Sequence, residues 1–254
     1  MTNQEFRSPW RGATPLAGTT AFVTGAGRGI GRGIAEELAS AGAYIVAADV
    51  DEAGAAETVA LAGGRGEAVR LDVTDAAAVD EVVRGRTIDV LVNVAGRLSI
   101  SPVVDMPVED WDEVMSVNAR GVFLVTRAAL PAMIEAAGGA IVNISSVSGK
   151  AGEPTLAHYS ASKFAVVGFT QALAKEVAAH GIRVNAVCPG VVRTPMIEQV
   201  SGAWGQTAEG IATDMQLIPR PQDPREIGAA VVFLATMPSI TGQAINVDGG
   251  TVFH

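Results

Sequence analysis

Short apolar runs alternate with longer stretches of helical periodicity along nearly the whole chain. The runs fall at residues 19–24, 44–49, 68–72, 88–93, 140–145, 183–188 and 244–248. Several are rich in Val and Ile, and they are near-continuous rather than alternating, which marks strands covered on both faces. Between them, apolar residues recur at helical spacing over 30–41, 53–61, 76–83, 109–133, 157–179 and 224–235. Repeated strand–helix–strand order predicts an α/β fold: a single doubly wound domain of about seven parallel strands, with right-handed crossovers and helices on both faces.

Two segments break the rhythm. Residues 1–16 carry Pro9 and Pro15 and no apolar run. They read as a flexible N-terminal arm ahead of a domain spanning 17–254, with docking of Phe6 and Trp10 on the body or on a neighbouring subunit as the alternative. Residues 194–225 carry Pro195, Gly202, Gly205, Gly210, Pro219, Pro221 and Pro224 among scattered apolar positions. A long irregular segment inside a compact domain is usually functional. This one reads as a substrate lid, the plainer alternative being a surface excursion.

Composition narrows the class. With 48% hydrophobic and 18% charged residues, the 254-residue chain is not disordered. Its 18 Lys and Arg against 27 Asp and Glu give a net charge of −9, which argues against general nucleic-acid binding. No run approaches the roughly 18 apolar residues of a membrane span, and the first residues lack the apolar centre of a signal peptide. A single cysteine, Cys188, makes no internal disulfide and reads as strand-end packing. A soluble, cytoplasmic protein is expected. His158, His180 and His254 are too scattered for a zinc cluster, so no metal site is expected.

The first run leads straight into Thr24-Gly25-Ala26-Gly27-Arg28-Gly29-Ile30-Gly31 and then a helix. Glycines let a backbone turn tightly against a pyrophosphate, and the helix N-terminus offers free N–H groups and a positive dipole end. The literal G-x-G-x-x-G is absent, because Ile30 stands where its third glycine would fall from Gly25. A glycine cluster alone is weak, but strand before, helix after and an acid further on strengthen it. That acid is Asp49, at the end of the second run. It can accept hydrogen bonds from both adenosine ribose hydroxyls and repel a 2′-phosphate, which favours NAD over NADP. Arg28 argues the other way, and Asp49 as a turn or capping acid is the structural alternative.

Tyr159 and Lys163 open a helical stretch at i and i+4, so phenol and ammonium share a face. A phenol is a poor base at neutral pH, and a nearby ammonium favours its ionised form, which makes it a usable general acid/base. Ser146 ends the fifth run, where strand ends meet at the ligand crevice of an open α/β sheet. Its hydroxyl is placed to hold a substrate oxygen, with Ser145 and Ser148 as rivals.

Taken together, Thr24-Gly25-x-x-x-Gly29-x-Gly31, Asn93-Val94-Ala95-Gly96, Asn118, Ser146, Tyr159-x-x-x-Lys163, the run from Cys188 to Thr194 and Asp248-Gly249-Gly250 resemble the short-chain dehydrogenase/reductase family. The resemblance covers about residues 16–254. Val94 departs from the family's usual Asn-Asn-Ala-Gly. The resemblance implies a Rossmann fold and hydride exchange between an alcohol or ketone and a nicotinamide. Tyr159 would be the general acid/base, Lys163 would lower its pKa and bond the nicotinamide ribose, and Ser146 would hold the substrate oxygen. Asn118 would support a water leading to Lys163. Asp72 and Val73 would contact adenine, Asn93, Ala95 and Gly96 would back the adenine ribose side, and Gly25, Arg28, Gly29, Ile30 and Gly31 would bind the cofactor, Ile30 offering a backbone N–H to the pyrophosphate. Pro189, Val192 and Thr194 would hold the nicotinamide end. A homotetramer packed through 109–133, 157–179 and the last strand is also implied.

The substrate is less legible. The stretches around Tyr159, Cys188 and Gly242 resemble acetoin/butanediol and polyol dehydrogenases, so an NAD-dependent secondary-alcohol dehydrogenase is the leading expectation. A 3-oxoacyl-carrier-protein or other carbonyl reductase is the alternative. Asp49 and the acidic net charge lean against it, since such reductases commonly prefer NADPH and carrier recognition favours a basic surface. A dinucleotide-sensing protein without turnover would have lost Tyr159 or Lys163. Trp204, Met196, Ile197 and Met215 are candidate substrate contacts, and Glu153 and His158 are candidates for the substrate mouth.

Overall fold

The computed structural model describes Phe6, Ser8, Gly12 and residues 14–254. All seven apolar runs form strands: β1 (Thr20–Thr24), β2 (Tyr44–Asp49), β3 (Gly66–Arg70), β4 (Val90–Asn93), β5 (Gly139–Ile144), β6 (Ile182–Pro189) and β7 (Ala244–Val247). They build one sheet in the order β3-β2-β1-β4-β5-β6-β7, and every pairing is parallel. Between them run α1 (Gly29–Ser40), α2 (Glu52–Leu61), α3 (Ala76–Val83), α4 (Val108–Met115), α5 (Gly121–Glu135), α6 (Ala157–Val177), α7 (Pro195–Trp204), α8 (Ala208–Met215) and α9 (Pro224–Thr236). The result is the single doubly wound domain that the hydrophobic pattern predicts.

Burial on both faces explains why the strand runs are near-continuous. In β1, Ala21 and Val23 pack into the core shared with α1 and α9, while Phe22 points into the opposite core with Leu91, Val125 and Ile141. All three β1 side chains are fully buried. The chain crosses from the β3 edge back to β4, so connections leave β1 and β4 in opposite directions. A crevice opens there above the C-terminal strand ends.

Two stretches differ from expectation in instructive ways. The helix expected over 109–133 is α4 and α5 joined by one wide π turn, Ser116–Arg120, with Asn118 buried inside it. Such single π turns recur at functional sites. Residues 194–225 are not irregular throughout, since they hold α7 and α8. Several of their prolines and glycines mark helix ends. Pro195 opens α7 after the Thr194 cap, Gly205 ends it at φ 65°, and the Thr207 hydroxyl caps α8 by accepting from Gly210 N–H at 3.0 Å.

At the other end of the chain, the Phe6 ring faces the Arg225 guanidinium at 5.5 Å, and the Ser8 hydroxyl donates to Glu37. Trp10, the other candidate anchor, lies outside the described residues. Among the described residues no helix is long and apolar enough to cross a membrane.

Candidate active site

A cleft of about 880 Å³ runs over the strand ends, from the turn after β1 to the lid helices. At its floor the glycine turn is shaped by close approach. Gly25 has φ 64°, and a Cβ there would stand 2.7 Å from the Ala95 Cα. A Cβ on Gly31 would lie 2.0 Å from the Gly25 carbonyl oxygen. Arg28, the N-cap of α1, makes no side-chain cap bond, so the leading N–H groups of α1 open on the cleft. Gly25, Arg28, Gly29, Ile30 and Gly31 all line it.

Asp49 closes the same end. Its carboxylate accepts from Gly27 N–H at 2.8 Å and from Asp51 N–H at 2.9 Å, so it braces the glycine turn as well as lining the cleft. The cap of α2 is Asp51, which accepts from Gly54 N–H. Asp72 and Val73 form the neighbouring wall, and the Thr74 amide and hydroxyl hold the Asp72 carboxylate.

Tyr159 and Lys163 stand one turn apart near the start of α6, with the Lys163 Nζ 5.6 Å from the phenol ring centroid. The Lys163 Nζ also donates to the Ile144 carbonyl at the end of β5, at 2.9 Å. Burial pushes Lys163 down to about 8. It pushes the Tyr159 phenol up to about 12, against a hydrogen bond from Ser146 that favours ionisation. Ser146 sits just past β5 and also accepts from Ser148 N–H at 3.1 Å. The rival Ser145 is occupied, because its hydroxyl donates to the Lys163 carbonyl at 2.9 Å. Ser148 lines the cleft beside Ser146.

Three candidates do not face the cleft. Asn93 is buried behind it, donating to Thr126 at 3.0 Å and Asn143 at 2.8 Å, and so ties β4 to its neighbours. Asn118 is fully buried, with its amide bound to the Arg97 carbonyl and the Ser162 hydroxyl and its oxygen accepting from Arg97 N–H at 2.7 Å. Its side chain pins the loop after β4 instead of forming the wall. His158 is fully buried against Ser99 at 2.6 Å, away from the mouth. Ala95, Gly96, Pro189, Val192 and Thr194 line the cleft, as does Glu153. The half-buried Glu153 carboxyl is pushed up by burial.

Over Tyr159 the lid presents Met196, Ile197, Val200, Trp204, Ile211 and Met215, packed with Leu98 and Leu156 from the opposite side. Leu98 and Ile211 carry no motif and are brought here only by the packing of the loop after β4 and of α8. Thr24 was visible only as the start of the glycine motif. Its hydroxyl accepts from Val94 and Ala95 N–H, clamping that loop to β1.

A family model described as enoyl-(acyl carrier protein) reductase matches residues 25–252. The chain is 41% identical to a 3-oxoacyl-[acyl-carrier-protein] reductase of Synechocystis sp., over 94% of this chain and 99% of that one. It is 39% identical to the (3R)-3-hydroxyacyl-CoA dehydrogenase of Homo sapiens, covering 92% and 96% of the two chains. A solved Agrobacterium tumefaciens protein, described as a candidate 2-deoxy-d-gluconate 3-dehydrogenase with bound NADP, superposes with a TM-score of 0.85 at 33% identity, covering 96% and 98%. The expected nearness to acetoin/butanediol and polyol dehydrogenases finds no support among these relatives, which favour the 3-oxoacyl reductase alternative. Motifs, sheet order and matches agree: the chain belongs to the short-chain dehydrogenase/reductase family, oxidoreductases of alcohol and carbonyl groups that use a nicotinamide dinucleotide.

Proposed function

We propose that the protein interconverts a 3-oxoacyl thioester and its 3-hydroxyacyl partner with NAD(H). The observation that carries the substrate class is the apolar lid wall over Tyr159, from Leu98 and Leu156 to Met196, Val200, Trp204 and Met215. An acyl chain gains about 25 cal/mol for each Å² it buries there. A polyol would leave hydroxyl groups unpaired against the same wall, at roughly 1–3 kcal/mol each. The names of the Synechocystis and human relatives support the same reading.

The residues present fit the dinucleotide. The uncapped α1 N-terminus and the Gly25–Gly31 turn would hold the pyrophosphate, and Asp49 the adenosine ribose. Asp72 and Val73 would flank adenine, with Ala95 and Gly96 behind the adenine ribose. Pro189, Val192, Thr194 and Lys163 would hold the nicotinamide end. The bound nicotinamide supplies or accepts the hydride. The side chains supply position and the proton. Ser146 and Tyr159 hold the substrate oxygen between them, and Tyr159, neutral with a pKa of about 12, donates its proton to the carbonyl in reduction. In oxidation the phenolate takes the alcohol proton, and the Lys163 ammonium favours that ion.

NAD is favoured because Asp49 places a charge where a 2′-phosphate would lie. The exposed Arg28 on the cleft rim and the NADP held by the Agrobacterium relative favour NADP. Initial rates with acetoacetyl, diol and sugar-alcohol substrates, each with both cofactors, test the whole reading. Thioester turnover with NADH, and an Asp49→Ala variant that accepts NADPH about tenfold better than the parent, support it. Turnover of the diols or sugar alcohols alone returns the substrate to the polyol class, and NADPH-only activity overturns the role given to Asp49.

A further inference from the structure

Gln216 ends α8 and is 5% exposed. Its amide bonds three different main-chain groups, with both Nε2 donors used. The Oε1 accepts from Val191 N–H at 2.8 Å, and the Nε2 donates to the Ile218 and Arg220 carbonyls at 3.1 and 2.8 Å. The fit around it is tight. A Cβ on Gly190 would meet the Oε1 at 2.8 Å, and one on Gly249 would meet the Nε2 at 2.9 Å. Val191 is held from its other side too, since its carbonyl accepts from Gln222 N–H at 2.8 Å.

These contacts lie between two parts of the cleft. Met215, next to Gln216, is on the lid wall, while Pro189, Gly190 and Val191 line the cleft beside Lys163. We propose that Gln216 is a positioning residue whose amide couples the substrate lid to the loop that holds the nicotinamide end of the cofactor. The inference rests on the nicotinamide placement given above. A carbon side chain of equal size would leave the Val191 N–H and the Arg220 carbonyl without partners and would take one of two donors from the Ile218 carbonyl. Among the described residues, only the pairing of Val191 and Arg193 with Gln222 would then join the two segments by hydrogen bonds, and the loop would be held less firmly. The Gln216 amide bonds no residue of the glycine turn and not Asp49, so the adenosine half of the site should keep its affinity.

The test compares NADH with ADP-ribose, which lacks the nicotinamide, by calorimetry on the full chain. In Gln216→Leu the NADH dissociation constant is expected to rise tenfold or more, with ADP-ribose unchanged within twofold. Gln216→Glu places a carboxylate against two carbonyls, and its NADH affinity relative to the parent at the same pH should be lower at pH 8 than at pH 6, where protonation restores one donor. An equal loss for both ligands, or no loss for either, overturns the proposal. If the parent protein binds NADH no better than ADP-ribose, the nicotinamide placement itself fails. Amide exchange at Val191 then decides the clamp: faster exchange in Gln216→Leu supports it, and unchanged exchange removes it.

Discussion

Tyr159 and Lys163 are shifted in opposite senses by one cause, burial, which disfavours whichever form carries charge. Their i, i+4 spacing was readable in the chain, as was Ser146 at a strand end. The direction in which Asn93, Asn118 and His158 point was not, because it is set by partners on other elements, such as Thr126 and Asn143 for Asn93. The shifts predict a pH profile. Reduction draws on the Tyr159 proton, which is present up to about pH 12, while the Lys163 charge is lost as pH rises through about 8. With saturating reduced cofactor, kcat/KM for carbonyl reduction should be level below pH 8 and decline above it. Lys163→Met should abolish that decline while lowering activity by ~10²-fold or more. A rate still climbing past pH 9 would contradict the assignment. Glu153 supplies a second prediction. Its carboxyl lines the cleft and makes no ion pair among the described residues. A substrate carboxylate in the same space at ~10 Å meets a repulsion of ~1.5 kcal/mol at an effective dielectric near 20. Glu153→Gln should therefore raise kcat/KM for acetoacetate about tenfold relative to its neutral thioester, and a constant ratio would remove the charge from the specificity argument.

Elements were legible where a single period governs them and less so where punctuation does. The strands and α1 follow from uninterrupted apolar patterns. The π turn at Ser116–Arg120 leaves no mark on that pattern, since the helix runs on through it. The lid helices were hidden by their prolines and glycines: Pro195, Gly202, Gly205 and Gly210 read as loop, although Pro195 and Gly205 mark the ends of α7 while Gly202 and Gly210 lie inside helices. Gly202 lies within α7 with nothing inside 4 Å of where a Cβ would stand, whereas Gly31 has the Gly25 carbonyl at 2.0 Å. The same substitution should thus act with opposite signs. Gly202→Ala is expected to stabilise by ~0.5–1 kcal/mol, by lowering the entropy cost of an exposed helix position. Gly31→Ala is expected to destabilise by roughly 1–3 kcal/mol or more through overpacking, and to weaken dinucleotide binding. Urea unfolding of the two variants checks both signs, and a neutral Gly31→Ala would mean the turn has room that the close approach denies.

For the whole molecule, parallel pairing and right-handed crossovers reduce seven strands to very few topologies, which is why the doubly wound sheet is readable in the sequence pattern. What one chain's periodicity cannot specify is which outer faces remain wet. Trp111 on α4, Phe123 on α5 and Phe164 on α6 are 40%, 44% and 48% exposed. These are the helices through which the family resemblance implies tetramer packing, and aromatic side chains standing out of them are costly to leave in water. None of the three lines the cleft. Assembly and cofactor binding should therefore separate. Sedimentation equilibrium is expected to give four subunits for the parent protein. Phe123→Glu combined with Phe164→Glu should give a smaller species, because each charge would have to be buried unpaired in the interface. NADH binding per chain should stay within about twofold, since the glycine turn, Asp49 and Lys163 are untouched. A double variant that remains a tetramer would show that these helix faces are not the interface. One that loses NADH binding in step with assembly would show that the cleft depends on a neighbouring subunit.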